Sequence, residues 1–200
     1  MIIVGLTGSM AMGKSEVAKA FRVEGIPVFD ADAEVHALYE SPEGASMLED
    51  IVPDAIRMNR VDRELLSAAL LREPGLLPKV EKIIHAQILK RREAFIAAAR
   101  RAGSDVIVLD IPLLFETGGE NSVDMTVVVS SSAKHQQERA LSRPGMTEEK
   151  LAMILHRQMS DAEKRKRADH IIGNDGTIAD LYAKVLKLSE ILRQKSKNHA

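Results

Sequence analysis

The sequence predicts an α/β fold in which a five-stranded parallel sheet carries helices on both faces and is interrupted by a long helical insertion. Three observations lead there. Short apolar, β-branched runs recur at residues 2–6, 26–29, 106–109, 125–129 and 170–172, as strands buried on both faces require. Helical patterns separate them, so successive strands are joined by crossovers rather than hairpins. Between the second and third runs the character is helix after helix, from residue 31 to about residue 101.

Taken in order, the first run passes into Gly8-Ser9-Met10-Ala11-Met12-Gly13-Lys14-Ser15. A helix is expected over 14–21, Gly25 ends it, and the run 26–29 closes a β-α-β unit. In the insertion, Asp62 is placed to cap a helix over 63–72, and Pro74 stands where another begins. Leu77, Val80, Ile83, Ile84, Ile88 and Leu89 fall at helical spacing, and the pattern continues to Ala102 before Gly103 stops it. A charged helical stretch covers 134–167. A closing helix over 177–193 leaves the tail 195–200 frayed. The organisation expected is one domain with a core of 1–30, 104–133 and 168–194, an insertion at 31–103 and a lid at 134–167.

The composition is that of an ordinary soluble globular chain: 200 residues, 45% apolar, 28% charged, with a formal net charge of −1. Near-neutral charge disfavours an extended nucleic-acid or acidic-membrane surface. The chain has no cysteine, which excludes disulfides, thiolate catalysis and cysteine-ligated zinc. The opening apolar run has no basic segment before it and no small-residue cleavage site after it, and no segment is long enough to span a bilayer. The expectation is a cytoplasmic protein without nucleic-acid or membrane partners.

Residues 8–15 satisfy G-x-x-x-x-G-K-[ST] between a strand and a helix, the context in which that spacing binds phosphate. Glycines let the backbone turn its N–H groups inward, and the helix N-terminus adds unpaired donors and partial positive charge. Lys14 is then aimed at the β- and γ-phosphates and the Ser15 hydroxyl at Mg²⁺. Ser9 and Ala11 occupy positions often taken by glycine, which they can fill if their φ angles stay negative. Glu16 stands where threonine is common. An N-K-x-D guanine-reading sequence is absent, against a GTPase, and Asp110 has no glutamate beside it, against an ATPase motor. Small size, the helical insertion and the arginines of 134–167 favour a small-molecule kinase whose lid excludes water. Kinases of nucleoside monophosphates or gluconate are rivals of the same class. A nucleotide-binding regulator without turnover is the rival from another.

Further islands carry a resemblance. Gly5-Leu6-Thr7-Gly8 with Gly13-Lys14-Ser15, then Val28-Phe29-Asp30-Ala31-Asp32, Asp62-Arg63 with Leu66, and Glu81-Lys82-Ile83-Ile84-His85 follow in sequence. Leu109-Asp110-Ile111-Pro112-Leu113-Leu114-Phe115-Glu116 comes next, then Arg139, Arg143, Gln158, Lys164, Ala168-Asp169, Ile172, Asn174 and Gly176. In this order the chain resembles the dephospho-CoA kinases along nearly its whole length, with Ala86 where that family usually has proline. The resemblance implies a P-loop kinase three-layer fold with a helical acceptor-binding insertion and a helical lid. It implies ATP-dependent phosphorylation of the ribose 3′-hydroxyl of dephospho-CoA, the last step of coenzyme A synthesis. ATP and dephospho-CoA are the implied ligands, Mg²⁺ the cofactor, and a monomer or weak homo-oligomer the expected state.

Carried over residue by residue, the resemblance makes Asp32 the base for the acceptor hydroxyl. By position alone Asp32 is an N-cap for a helix over 33–39, with Asp30 capping or supporting. Lys14 and Arg139 are the other catalytic candidates. Gly8, Ala11, Met12, Gly13, Lys14, Ser15, Glu16, Arg143 and Asn174 would bind ATP, and Ser15 would also ligate the metal. Arg63, His85, Leu113 and Glu116 would line the acceptor side. Arg139 and Arg143 share one face if 134–142 is helical. They either supply charge at the triphosphate or belong to a solvated helix with Glu138. Asn174-Asp175-Gly176 is the adenine-side loop by resemblance and a plain turn otherwise.

Overall fold

A computed structural model describes residues 1–198. The chain begins with β1 (Ile2–Thr7), α1 (Lys14–Val23) and β2 (Val28–Asp30). It continues through α2 (Ala31–Tyr39), α3 (Pro42–Leu48), the short strands β3 (Ile56–Arg57) and β4 (Arg60–Val61), α4 (Arg63–Arg72) and α5 (Leu77–Arg101). The remainder forms β5 (Val106–Asp110), β6 (Met125–Ser130), α6 (Ala133–Leu141), α7 (Glu148–His156), α8 (Asp161–Arg167), β7 (His170–Gly173) and α9 (Ile178–Asn198). Two compact units result, Met1–Phe29 with Ala98–Ala200, and Asp30–Ala97.

Five strands make the parallel sheet the sequence predicts, in the order β2-β5-β1-β6-β7. β1 pairs in parallel with β5 and β6, and β6 with β7. The expected β-α-β unit is present as β1, α1 and β2 of one sheet, with β5 lying between its two strands. The Pro27 carbonyl accepts from the Val108 N–H at 2.9 Å. Proline cannot donate to a ladder, so a strand entered through Pro27 suits the edge. The centre goes to β1, flanked by β5 and β6.

On one face of the sheet, Val4 and Leu6 pack with Val17, Ala18 and Phe21 of α1 and with Leu181, Val185, Leu188 and Leu192 of α9. The α9 residues recur every three or four positions, the buried stripe of an amphipathic helix. Ser196 continues that stripe with 3% exposure, which is why the helix runs on to Asn198 instead of fraying from 195. The last two positions of that expected tail, 199 and 200, lie outside the described residues. On the other face, a Cβ on Gly5 would meet Leu114 Cδ2 at 2.8 Å. Glycine there lets the segment after β5 lie on the sheet. α1 stops as expected: Gly25 has φ 72, and Ile26 N–H returns to the Phe21 carbonyl at 3.0 Å.

The charged stretch 134–167 is three helices. Gly145, with φ 72, breaks the chain between α6 and α7, and Thr147 and Ser160 cap α7 and α8.

The second unit has its own core, with Leu38, Leu48, Val52, Ala55, Val61, Leu66, Val80 and Ile84 buried together. Asp62 caps α4, accepting from the Glu64 and Leu65 N–H groups at 3.0 Å. Leu77 and Leu89 of the expected α5 stripe are exposed instead. An all-helical reading misses the β3–β4 hairpin. Its turn residues Met58 and Asn59 have φ 47 and 58, as a tight two-residue hairpin requires. Methionine in that place is no sequence signal for it. Among the described residues no helix is long and apolar enough to cross a membrane.

Candidate active site

β1 delivers the chain into the loop that precedes α1, where Gly8 and Ser9 are buried. Met12 N–H donates back to the Ser9 carbonyl at 3.2 Å. Ala11 has φ 62 and Gly13 φ 95. The first value corrects the expectation of a negative φ. The turn demands a left-handed residue, and an alanine there costs about 1 kcal/mol relative to glycine. At Gly13 no other residue fits, since a Cβ would lie 1.9 Å from Asn174 Nδ2.

Side chains from distant parts of the chain hold this loop. Gln158 Oε1 accepts the Met10 N–H at 3.1 Å, and Gln136 Nε2 donates to the Met10 carbonyl at 2.8 Å. Asn174 Nδ2 donates to the Met12 carbonyl at 2.9 Å. Among the described residues, the N–H groups of Ala11, Gly13, Lys14 and Ser15 have no acceptor. A row of unpaired N–H groups at a helix start is an anion site in waiting.

Lys14 Nζ is ion-paired with Asp110, which is 1% exposed at the end of β5. The register that sets Leu6 opposite Asp110 brings the two ends of β1 and β5 level. From the sequence, Asp110 is half of an absent acidic pair and, after Asp32, the next candidate for the base. Its signal was an acid closing a fully apolar strand. Ser15, the second residue of α1, is exposed, and Glu16 is turned to Lys19 at 2.5 Å. Among the described residues no group of three or more His, Cys, Asp or Glu could hold a metal ion.

Arg139, half-buried on α6, donates through Nη2 to the Asn174 carbonyl at 2.9 Å. Its Nη1 lies 3.9 Å from where a Cβ on Gly13 would stand, so it flanks the loop. Arg143 does not share that face. α6 ends at Leu141, and Arg143 sits exposed in the following turn, because Pro144-Gly145 cannot continue the helix. Asn174, 9% exposed, is committed through its side chain to the loop backbone and through its carbonyl to Arg139. It is a brace. Asp175 accepts from Ser132 N–H at 2.7 Å and Ser131 Oγ at 2.9 Å, and faces His135 Nδ1 at 3.0 Å. The Ser132 N–H above all, then His135 and Ser131, hold its carboxyl well below the usual carboxylate range.

Leu113 is exposed after β5. Glu116 is engaged: Lys164 Nζ lies 2.9 Å from its Oε1, with none of the Lys164 side chain exposed, and Met159 N–H donates to the same oxygen at 2.8 Å. Burial pushes the Glu116 carboxyl up, but Lys164 and the backbone N–H groups outweigh it, leaving the pKa below the ordinary value.

In the second unit, Asp30 caps α2, its Oδ1 accepting from Ala33 N–H at 3.0 Å. Asp32 is therefore not the cap; it is the second residue of α2 and exposed. His85 is exposed in α5. Among the described residues no side-chain hydrogen bond or ion pair engages either of them. Arg63 opens α4, exposed, and its charge acts on Tyr39, whose pKa burial raises and Arg63 partly restores.

A family model described as dephospho-CoA kinase matches residues 2–180. A dephospho-CoA kinase from Nitrobacter winogradskyi is 49% identical over 172 residues, 86% of each chain. One from Rhodopseudomonas palustris is 45% identical over 197 residues, covering 98% of this chain and 97% of its own. Among solved structures, a Thermus thermophilus protein superposes with TM-score 0.78 at 32% identity, covering 94% of this chain and 97% of its own. A dephospho-CoA kinase from Campylobacter jejuni shares the fold at TM-score 0.68 and 22% identity, covering 95% and 96%.

Proposed function

The chain belongs to the dephospho-CoA kinase family, and we propose that it performs the reaction of that name with the residues gathered above. The γ-phosphoryl group of ATP passes to the ribose 3′-hydroxyl of dephospho-CoA, giving coenzyme A and ADP. The observation that carries this reading is the braced loop, with its unpaired N–H groups, beside Lys14 and Arg139. Such donors, preset where negative charge develops, need no reorganisation during transfer.

In this reading the Ala11, Gly13, Lys14 and Ser15 N–H groups take the phosphates, with Gly8 and Met12 shaping the loop. Lys14 leaves Asp110 for the β- and γ-phosphate oxygens. Arg139 meets the charge on the transferring group, and Arg143 reaches the nucleotide from its turn. Asp32 accepts the proton of the attacking hydroxyl. Arg63, His85 and Leu113 meet the acceptor. The segment 134–167 acts as the lid. The Ser15 hydroxyl and the Asp110 carboxylate are oxygen donors of the kind Mg²⁺ takes alongside phosphate oxygens, so these residues fit the metal. When bound, it neutralises charge on the triphosphate. The cytoplasm is the compartment this substrate pair suggests.

An assay of ADP release with Mg-ATP, with and without dephospho-CoA, tests the reading. Release should depend on dephospho-CoA and yield coenzyme A. Equal rates with gluconate or a nucleoside monophosphate, or no acceptor-dependent release, would overturn it.

A further inference from the structure

Lys164 has none of its side chain exposed, and phosphoryl transfer as read above does not use it. Among the described residues its ionic neighbour is Glu116, whose second oxygen is buried without a hydrogen-bond partner there. Taking two charges out of water often costs more than their attraction returns, so such a pair is a poor source of stability. It does supply geometry. Glu116 Oε1 also accepts the Met159 N–H at 2.8 Å. Met159 follows Gln158, whose N–H closes the last turn of α7 on the Leu155 carbonyl at 3.1 Å. Ser160 then caps α8, and Lys164 N–H returns to the Ser160 carbonyl at 3.0 Å. The short segment 157–160 is thus clamped from both ends, and Gln158 Oε1 on it holds the Met10 N–H.

We infer that Glu116 and Lys164 are positioning residues for the nucleotide: their buried pair fixes residues 157–160 so that Gln158 holds the Met10 corner of the phosphate loop. The next residue, Ala11, shows why a clamp is needed. Its φ of 62 is disfavoured for alanine, and such a conformation persists only where its surroundings over-determine it. Gln158 and Gln136 at Met10 and Asn174 at Met12 are those surroundings. Glu116 is thereby assigned to the donor side, against the acceptor-side place the resemblance implies. The inference rests on the loop being the nucleotide site.

Titration calorimetry with Mg-ADP alone, and steady-state rates with both substrates varied, test it. Gln158→Met removes the acceptor at similar size. Glu116→Met combined with Lys164→Met removes the pair without stranding a buried charge. Each variant should bind Mg-ADP more weakly and raise the KM for ATP by about fivefold to tenfold, the scale of one net hydrogen bond. The KM for dephospho-CoA should hold within about twofold, well under that scale. Adding Ala11→Gly to Gln158→Met should restore most of the affinity, since glycine needs no clamp. A rise confined to the KM for dephospho-CoA returns Glu116 to the acceptor side and overturns the inference. So does a lowered melting temperature with Mg-ADP affinity unchanged. If the double variant does not fold, Gln158→Met with its glycine rescue decides alone. Wild-type protein that binds no Mg-ADP sinks the kinase reading as well, and that result is read before any variant is made.

Discussion

The loop at residues 8–13 and the helices that carry Asp32, Arg63 and His85 treat their polar groups differently. In the loop, both backbone groups of Met10 and the carbonyl of Met12 are held by side chains from elsewhere in the chain. Lys14 is paired with Asp110, and Arg139 with the Asn174 carbonyl. In the second unit, the side chains of Asp32 and His85 are exposed and unengaged among the described residues, although the unit has a well-packed apolar core. A triphosphate brings charge that preset dipoles stabilise most when they need not move. In the proposed reading the acceptor hydroxyl is neutral, and Asp32 and His85 can stay hydrated until it arrives. Burial of the Asp32 carboxylate without a partner would cost several kcal/mol.

That contrast breaks most visibly at Asp32. Asp32→Asn keeps the size and one acceptor oxygen but takes no proton at neutral pH. Turnover should fall about 10²–10⁴-fold, the range for a positioned acid–base group. Melting temperature and ATP affinity should not move, because the cap of α2 is Asp30. The complementary Asp30→Ala should cost about 1 kcal/mol in urea unfolding, the usual worth of a cap. Rates and melting curves on one preparation separate the two; a fully active Asp32→Asn removes the base from this position.

Lys14→Ala should lower turnover by about 10²–10³-fold, as loss of a charge-stabilising donor does. Unlike Asp32→Asn it should also lower the melting temperature, because it removes the ion pair made by Asp110, which is 1% exposed. Lost turnover at an unchanged melting temperature would mean that the ion pair holds nothing in place.

Smaller effects sharpen the comparison. Ala11→Gly should stabilise the protein by about 1 kcal/mol in urea unfolding, since φ 62 is free to glycine. A loss of stability would show that the methyl group packs more than it strains. The smallest effect lies at Asp175. Its folded pKa is below the ordinary 3.8, so the unfolded chain binds the proton more tightly. Its contribution is complete above about pH 4 and drains away as pH falls through the depressed value. Asp175→Asn should flatten the acid limb of the stability curve slightly, because the side chain is half exposed and screened. An unchanged acid limb would put the anchoring of this loop on Ser130 and Asn174 alone.

The sequence by itself determined what depends on neighbours along the chain. Apolar runs marked all five sheet strands, the spacing from Gly8 to Ser15 marked the phosphate loop, Gly25 marked the end of α1, and Asp62 capped α4. Each is a matter of local φ, capping or hydrophobic period. Tertiary structure decided the rest. It inserted β5 between β1 and β2. It also held Ala11 at positive φ. The loop is shaped by Gln158, 148 residues from Met10, and by Asn174, 162 residues from Met12. Partners so far apart leave no periodic trace, because only the packed sheet and its helices bring them within hydrogen-bonding distance.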